Sequence, residues 1–145
     1  MNILAFDCSS DLLTVGLARK DGQVFSLAEK GFKHTELLLP CIGRCLEKAA
    51  VRTSSIDLIA CTGGPGSFTG LRIGMSTAKG LSLALGKPWV SLPTLDCLAL
   101  GIAKDLKSYS APAQVKSPTI VPVLDARKKR LYAAIYRHGL RESEY

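Results

Sequence analysis

Two stretches of this 145-residue chain carry residue types that could do chemistry. The first is Asp7-Cys8-Ser9-Ser10, a carboxylate and two hydroxyls at the end of an apolar run. Such a set can place a phosphate and a Mg²⁺ ion, or it can simply satisfy backbone donors in a tight turn. The second is Cys61-Thr-Gly-Gly-Pro-Gly-Ser-Phe-Thr-Gly-Leu-Arg-Ile-Gly74, with four of the thirteen glycines in eight residues. Glycines let another backbone or a ligand come close, and Pro65 stiffens the turn. A helix opening there aims unpaired N–H groups back at the loop, a place for an anion or a partner's carboxylate.

The common constellations fit poorly. A P-loop needs Gly-Lys-Ser/Thr five positions after its first glycine, and the run lacks it. Gly64-Pro65-Gly66-Ser67-Phe68-Thr69 approaches the dinucleotide fingerprint, yet its third glycine and the acidic ribose partner are missing. A two-metal nuclease would need carboxylates on the first strand, the first helix and the end of the fourth strand. Asp7 and Glu36 could serve, but the fourth strand ends in Cys61-Thr62. Two histidines four apart on a helix could share a metal; four residues after His34 stands Leu38, and His138 is the only other histidine. Neither HExxH nor a Ser/His/Asp set is visible. The five cysteines contain no C-x-x-C pair, and Cys41 and Cys45, four apart on a predicted helix, read as small apolar fillers.

With 47% hydrophobic and 21% charged residues, the chain can bury a core. Its N-terminus, Met-Asn-Ile-Leu-Ala-Phe-Asp, has neither a basic leader nor a long apolar region, so a cytoplasmic protein without membrane association is expected. The net charge of +7 is scattered except at Arg127-Lys128-Lys129-Arg130, a cationic turn that could meet an anionic partner such as RNA or lie solvated.

Periodicity places these residues. Strands are predicted at 3–7, 12–19 and 23–29, joined by hairpin-length turns and therefore antiparallel. A helix over 35–50 buries Leu38, Cys41, Ile42, Cys45, Leu46 and Ala49, with Pro40 near its start or kinking its first turn. A strand at 58–62, a helix over 70–85 closed by Gly86-Lys87-Pro88, a strand at 90–92 and a helix capped by Thr94 follow. The α/β order β-β-β-α-β-α-β-α matches a ribonuclease H-like domain. After a polar linker the chain begins the same unit again: Val123-Leu124-Asp125 aligns with Ala5-Phe6-Asp7, Leu131 with Leu13 and Ile135 with Leu17. The expected organisation is a ribonuclease H-like domain over 1–107, a linker over 108–118, and over 119–145 the first hairpin of an incomplete second domain, so the natural protein is expected to be longer.

Duplicated domains of this kind are the plan of the actin, Hsp70 and sugar-kinase superfamily, and Asp7-Cys8-Ser9-Ser10 resembles its first phosphate loop. Taken with His34-Thr-Glu-Leu-Leu-Leu-Pro40, the Gly64–Gly74 run, Ala78-Lys-Gly-Leu81 and Asp125-Ala-Arg-Lys128, the chain resembles the bacterial TsaB (YeaZ) family of threonylcarbamoyladenosine biosynthesis proteins. That resemblance implies a non-catalytic scaffold. Its catalytic paralogue TsaD transfers threonylcarbamoyl to N6 of the adenosine 3′ of the anticodon in tRNAs reading ANN codons, and an ATPase, TsaE, joins them. Without TsaD the family member pairs with a second copy of itself. No cofactor of its own is implied; ATP or ADP and a metal are expected on the partner subunits, and tRNA is met through the complex. The alternative is an ATP-dependent small-molecule kinase of the same superfamily, using Asp7, Ser9 and Ser10.

The helix over 70–85 carries two strips of small residues, Gly70-Gly74-Ala78-Ser82 and Ser76-Gly80-Ala84, which would let another helix approach closely. One strip can pack on the domain's own sheet; two exceed that need. The resemblance puts the partner surface on this helix and on 35–50, giving Thr35, Glu36, Leu39, Gly70, Arg72, Gly74, Met75, Ala78, Lys79 and Ser82 as expected interface residues. Ala78→Trp or Gly74→Leu is then expected to abolish pairing with the fold intact.

Overall fold

Alternating apolar residues in the first thirty positions build the start of a sheet, because side chains on a strand point to opposite faces in turn. In the computed structural model, which describes residues 1–31, 33–108, 118–137 and 140–143, these are β1 (Ile3–Asp7), β2 (Leu12–Ala18) and β3 (Val24–Lys30). Both hairpins are antiparallel, as their short turns require. Helix α1 (His34–Lys48) and a short 3-10 helix at Thr53–Ser55 lead to β4 (Leu58–Gly64), which pairs parallel with β1. Helix α2 (Phe68–Leu85) and β5 (Trp89–Pro93) complete a five-stranded sheet of order β3-β2-β1-β4-β5.

Register explains the core. Leu27, Val15, Phe6 and Cys61 form one row across four strands, and Phe25, Leu17, Leu4 and Ile59 form the next. These rows meet Leu38, Cys41, Ile42, Cys45 and Leu46 of α1 and Ala78 of α2 in a single cluster. Pro40 sits in the seventh position of α1 and the helix continues through it to Lys48; the residue is exposed, so the backbone carbonyl it leaves without a helical partner can be solvated. Ser67 Oγ accepts from the Gly70 N–H at 3.3 Å to cap α2, and Gly86, left-handed at φ 64°, ends it. Helix α2 opens two residues before the predicted start because its first turn overlaps the glycine run.

The chain divides into two compact units, Met1–Leu92 and Pro93–Tyr145. The second contains α3 (Thr94–Ser108), an antiparallel pair β6 (Val123–Asp125) and β7 (Leu131–Ala133), and a pair β8 (Tyr136–Arg137) and β9 (Leu140–Arg141). Helix α3 therefore groups with the later strands. Residues 109–117 of the expected linker, and His138, lie outside the described residues. Leu95, Ala99, Ile120, Ala134 and Tyr136 form the small core of this unit, and the Tyr136 hydroxyl donates to the Asp96 carboxylate.

The second strand of the expected hairpin, which the alignment of Leu131 with Leu13 and Ile135 with Leu17 implied, is broken into β7 and β8. Ile120 bridges Tyr136 in the same register as β6–β7, but the ladder lapses where Pro122 stands opposite Ala134. Proline has no N–H to donate, so the strand divides there. At the turn end the two hairpins are alike. Asp7 Oδ1 accepts from the Ser9 N–H and Asp125 Oδ1 from the Arg127 N–H, each two residues on and each at 2.7 Å.

Candidate functional site

Asp7, Ser9 and Ser10 come together in a turn in which Asp7 Oδ1, the Ser9 backbone and Ser10 Oγ are bonded within the chain. Asp7 Oδ1 takes the Ser9 N–H at 2.7 Å and the Thr62 hydroxyl at 2.5 Å. Ser10 Oγ exchanges bonds with the N–H and C=O of Leu12, at 3.1 and 3.3 Å. Ser9 C=O accepts from the Ser67 N–H at 2.6 Å, and Ser10 C=O lies 2.7 Å from His34 Nε2, which must carry the proton because a carbonyl can only accept. The turn is thus bonded to the start of α1, the end of β4 and the start of α2.

The glycine run makes that closure possible. A Cβ on Gly66 would stand 2.5 Å from Ser9 O, and one on Gly70 would stand 1.9 Å from Cys8 O. Side chains of any size would push the run off the turn. The backbone at 66–67 lies directly against Ser9. At the place where two-metal chemistry needs a further carboxylate, Thr62 supplies a hydroxyl that donates to Asp7. Among the described residues no group of three His, Cys, Asp or Glu side chains is placed to hold a metal. No helix there is long and apolar enough to cross a membrane.

Burial beside this turn sets the thiols. Cys8 is pushed up to about 12, first by burial and then by the neighbouring Asp7 carboxylate and Cys61. Burial also raises Cys61 and Cys45. All three are held as neutral apolar groups rather than as nucleophiles.

The two small-residue strips of α2 face different ways. Gly70, Gly74 and Ala78 point inward: Gly74 meets the Cys8 side chain, and Ala78 is 0% exposed within the core. These three expected interface residues therefore lie off the outer face of the unit, because the helix approaches β1 and β4 along that strip. Ala78→Trp and Gly74→Leu would strike the core, contrary to the expectation that they spare the fold. Met75 is partly buried against the same cluster, and the Ser82 hydroxyl donates to Lys87 C=O at 2.6 Å in the helix's own C-cap.

Ser76, Gly80 and Ala84 form the outward strip, flanked by exposed Arg72 and Lys79. From α1, Thr35, Glu36 and Leu39 are exposed. A groove of about 430 Å³ runs between Thr35, Leu38 and Leu39 of α1 and Thr69, Arg72, Ile73, Ser76 and Thr77 of α2. Two residues of this face were absent from the sequence reading: Phe68, 74% exposed, and Leu83, 85% exposed. Phe68 sits in the glycine run, where an apolar side chain between small residues was the available signal. Arg72 lies over the Phe68 ring and Lys79 over Trp89, with 5.4 and 5.5 Å from each charged group to the ring centroid. In the second unit Arg127, Lys128, Lys129 and Arg130 form the exposed β6–β7 turn.

Residues 20–143 match the family described as "TsaD: tRNA N6-adenosine threonylcarbamoyltransferase". Among curated relatives, the chain is 32% identical over 140 residues to the tRNA threonylcarbamoyladenosine biosynthesis protein TsaB of Escherichia coli, covering 94% of this chain and 55% of that protein. It is 41% identical over 98 residues to TsaB of Buchnera aphidicola, covering 67% and 44%. YeaZ from Pseudomonas aeruginosa superposes with a TM-score of 0.84 at 29% identity, covering 97% of this chain and 63% of that one. The chain spans roughly half the length of these curated TsaB relatives. A shared family match, TsaB relatives above 30% identity and a common fold agree: the chain belongs to the TsaD-type threonylcarbamoyltransferase family of the actin-like superfamily, in its TsaB (YeaZ) branch.

Proposed function

We propose that this chain is an accessory subunit in the formation of N6-threonylcarbamoyladenosine in tRNA, itself non-catalytic, pairing through the outer face of α1 and α2 with the catalytic paralogue TsaD in a complex joined by the ATPase TsaE. In the absence of TsaD the same face pairs with a second copy. The observation that carries this reading is the α1–α2 face itself. Leu39, Phe68 and Leu83 present apolar side chains to solvent beside an outward strip of small residues, with Glu36, Arg72 and Lys79 as a polar rim. An apolar centre within a charged rim is what a protein partner buries. Nucleotide and metal chemistry are assigned to the partner subunits. The kinase alternative would use Asp7, Ser9 and Ser10, of which Asp7 Oδ1 and Ser10 Oγ already bond within the chain.

The deciding experiment is nucleoside mass spectrometry of bulk tRNA from cells depleted of the protein and from cells given it back. Loss of threonylcarbamoyladenosine with recovery on complementation is expected. An unchanged profile would reject the role and bring the kinase reading forward.

A further inference from the structure

The β6–β7 hairpin reverses through Ala126-Arg127-Lys128-Lys129-Arg130 in an unusual backbone. Arg127, Lys128 and Lys129 are three consecutive residues at positive φ, 62°, 52° and 60°, a region that side chains other than Asn, Asp and Gly rarely enter. Tight reversals of this hand normally recruit Asn-Gly or Gly-Gly; here all three positive-φ positions are long cations. The turn is held by the Arg127 N–H on Asp125 Oδ1 at 2.7 Å, the Ala126 N–H on Arg130 O at 2.9 Å and the Arg130 N–H on Arg127 O at 3.1 Å. All four cationic side chains are exposed, and among the described residues none forms an ion pair. The same unit does pair its other arginines, Arg137 with Glu142 and Arg141 with Asp96. The carboxylate nearest in sequence, Asp125, turns Oδ1 to the backbone. The tip therefore concentrates four uncompensated positive charges in four residues.

We propose that this turn is a contact for the RNA phosphate backbone, through which the subunit holds tRNA in the assembled complex; the tRNA part of the inference rests on the function proposed above. Adjacent, uncompensated cations suit a closely spaced row of phosphates. A membrane surface suits the tip less well, because no apolar side chain stands between the cations to enter an interface. Lacking an aromatic among them, the four residues position the RNA without reading its bases.

The test is fluorescence anisotropy of a labelled, unmodified transcript of a tRNA reading an ANN codon, titrated with the full chain at salt concentrations from about 50 to about 200 mM. The triple variant K128Q/K129Q/R130Q is expected to weaken binding at least about tenfold and to lower the slope of log affinity against log salt by about 2 to 3, the loss of three phosphate contacts. Lys128→Arg with Lys129→Arg is expected to keep both. Far-UV circular dichroism checks each fold, and K128Q/K129Q, expected to lose about 2 from the slope, serves if the triple variant does not fold. No binding by the unaltered chain, or a slope unchanged by the substitutions, overturns the proposal. So does a loss confined to vesicles of phosphatidylserine and phosphatidylcholine. Because the assay needs only chain and tRNA, its failure beside a normal depletion phenotype removes the contact alone, whereas intact binding beside an unchanged nucleoside profile removes the modification role alone.

Discussion

The Thr62 hydroxyl donates to Asp7 Oδ1 across 2.5 Å, joining the end of β4 to the end of β1. The two residues are 55 apart in sequence, and the bond exists because β1 and β4 are parallel neighbours whose registered rows end together. It converts a carboxylate that could have faced a ligand into a strut of the β1–β2 turn.

Thr62 is buried, so Thr62→Val takes a donor from Asp7 and puts nothing polar in its place. A loss of about 1–3 kcal/mol is expected by chemical denaturation, with Thr62→Ser close to the unaltered chain. Equal stability of the Val and Ser variants would refute the strut.

The two small strips predict opposite signs for the same substitution. Gly70→Ala sets a Cβ 1.9 Å from Cys8 O and is expected to cost about 1–3 kcal/mol or more. A Cβ on Gly80 meets nothing within 4 Å, so Gly80→Ala is expected to stabilise the isolated chain by about 0.5–1 kcal/mol through helix propensity. Thermal denaturation of the pair decides.

The partner face can be struck without touching the core. Leu39→Asp and Phe68→Asp are expected to leave the thermal midpoint within about 2 °C, as exposed substitutions do. Both are expected to abolish comigration with TsaD in sedimentation velocity. Retained comigration would move the interface elsewhere. Gly80→Trp supplies a third probe of the same face.

Cys8 makes stability fall in alkali. Its thiol titrates near 9.0 when unfolded and at about 12 when folded, so between those values the native state binds the extra proton. The stabilisation is complete below the lower value and is lost as pH climbs through the upper. Denaturation midpoints measured across this window should drop less steeply for Cys8→Ala than for the unaltered chain. Some slope should remain, since burial raises Cys45 and Cys61 too. Parallel slopes would contradict the assignment.

Much of the fold was legible in residue order. Leu4 and Phe6 alternate, turns of a few residues impose hairpins, and Leu38, Cys41, Ile42, Cys45 and Leu46 recur at helical spacing, all within one element's reach. The stop at Gly86 is equally local, whereas the Ser67 cap was missed because the helix was expected to open at 70. The broken second strand could be anticipated only by knowing that Pro122 would stand opposite Ala134.

The candidate site was legible only in part. Sequence alone determined that α2 has two strips without bulky side chains, that Asp7 and two serines share a turn, and that four cations adjoin. Tertiary structure decided that Gly70, Gly74 and Ala78 face the sheet while Ser76, Gly80 and Ala84 face out, and that Thr62, Ser67 and His34 close the turn. The reason is geometric: small residues at both i and i+4 series leave the rotation of a helix about its axis undetermined. That rotation is set by parallel pairing of β1 with β4 and by the backbone approach of Gly70 to Cys8, contacts between segments more than fifty residues apart.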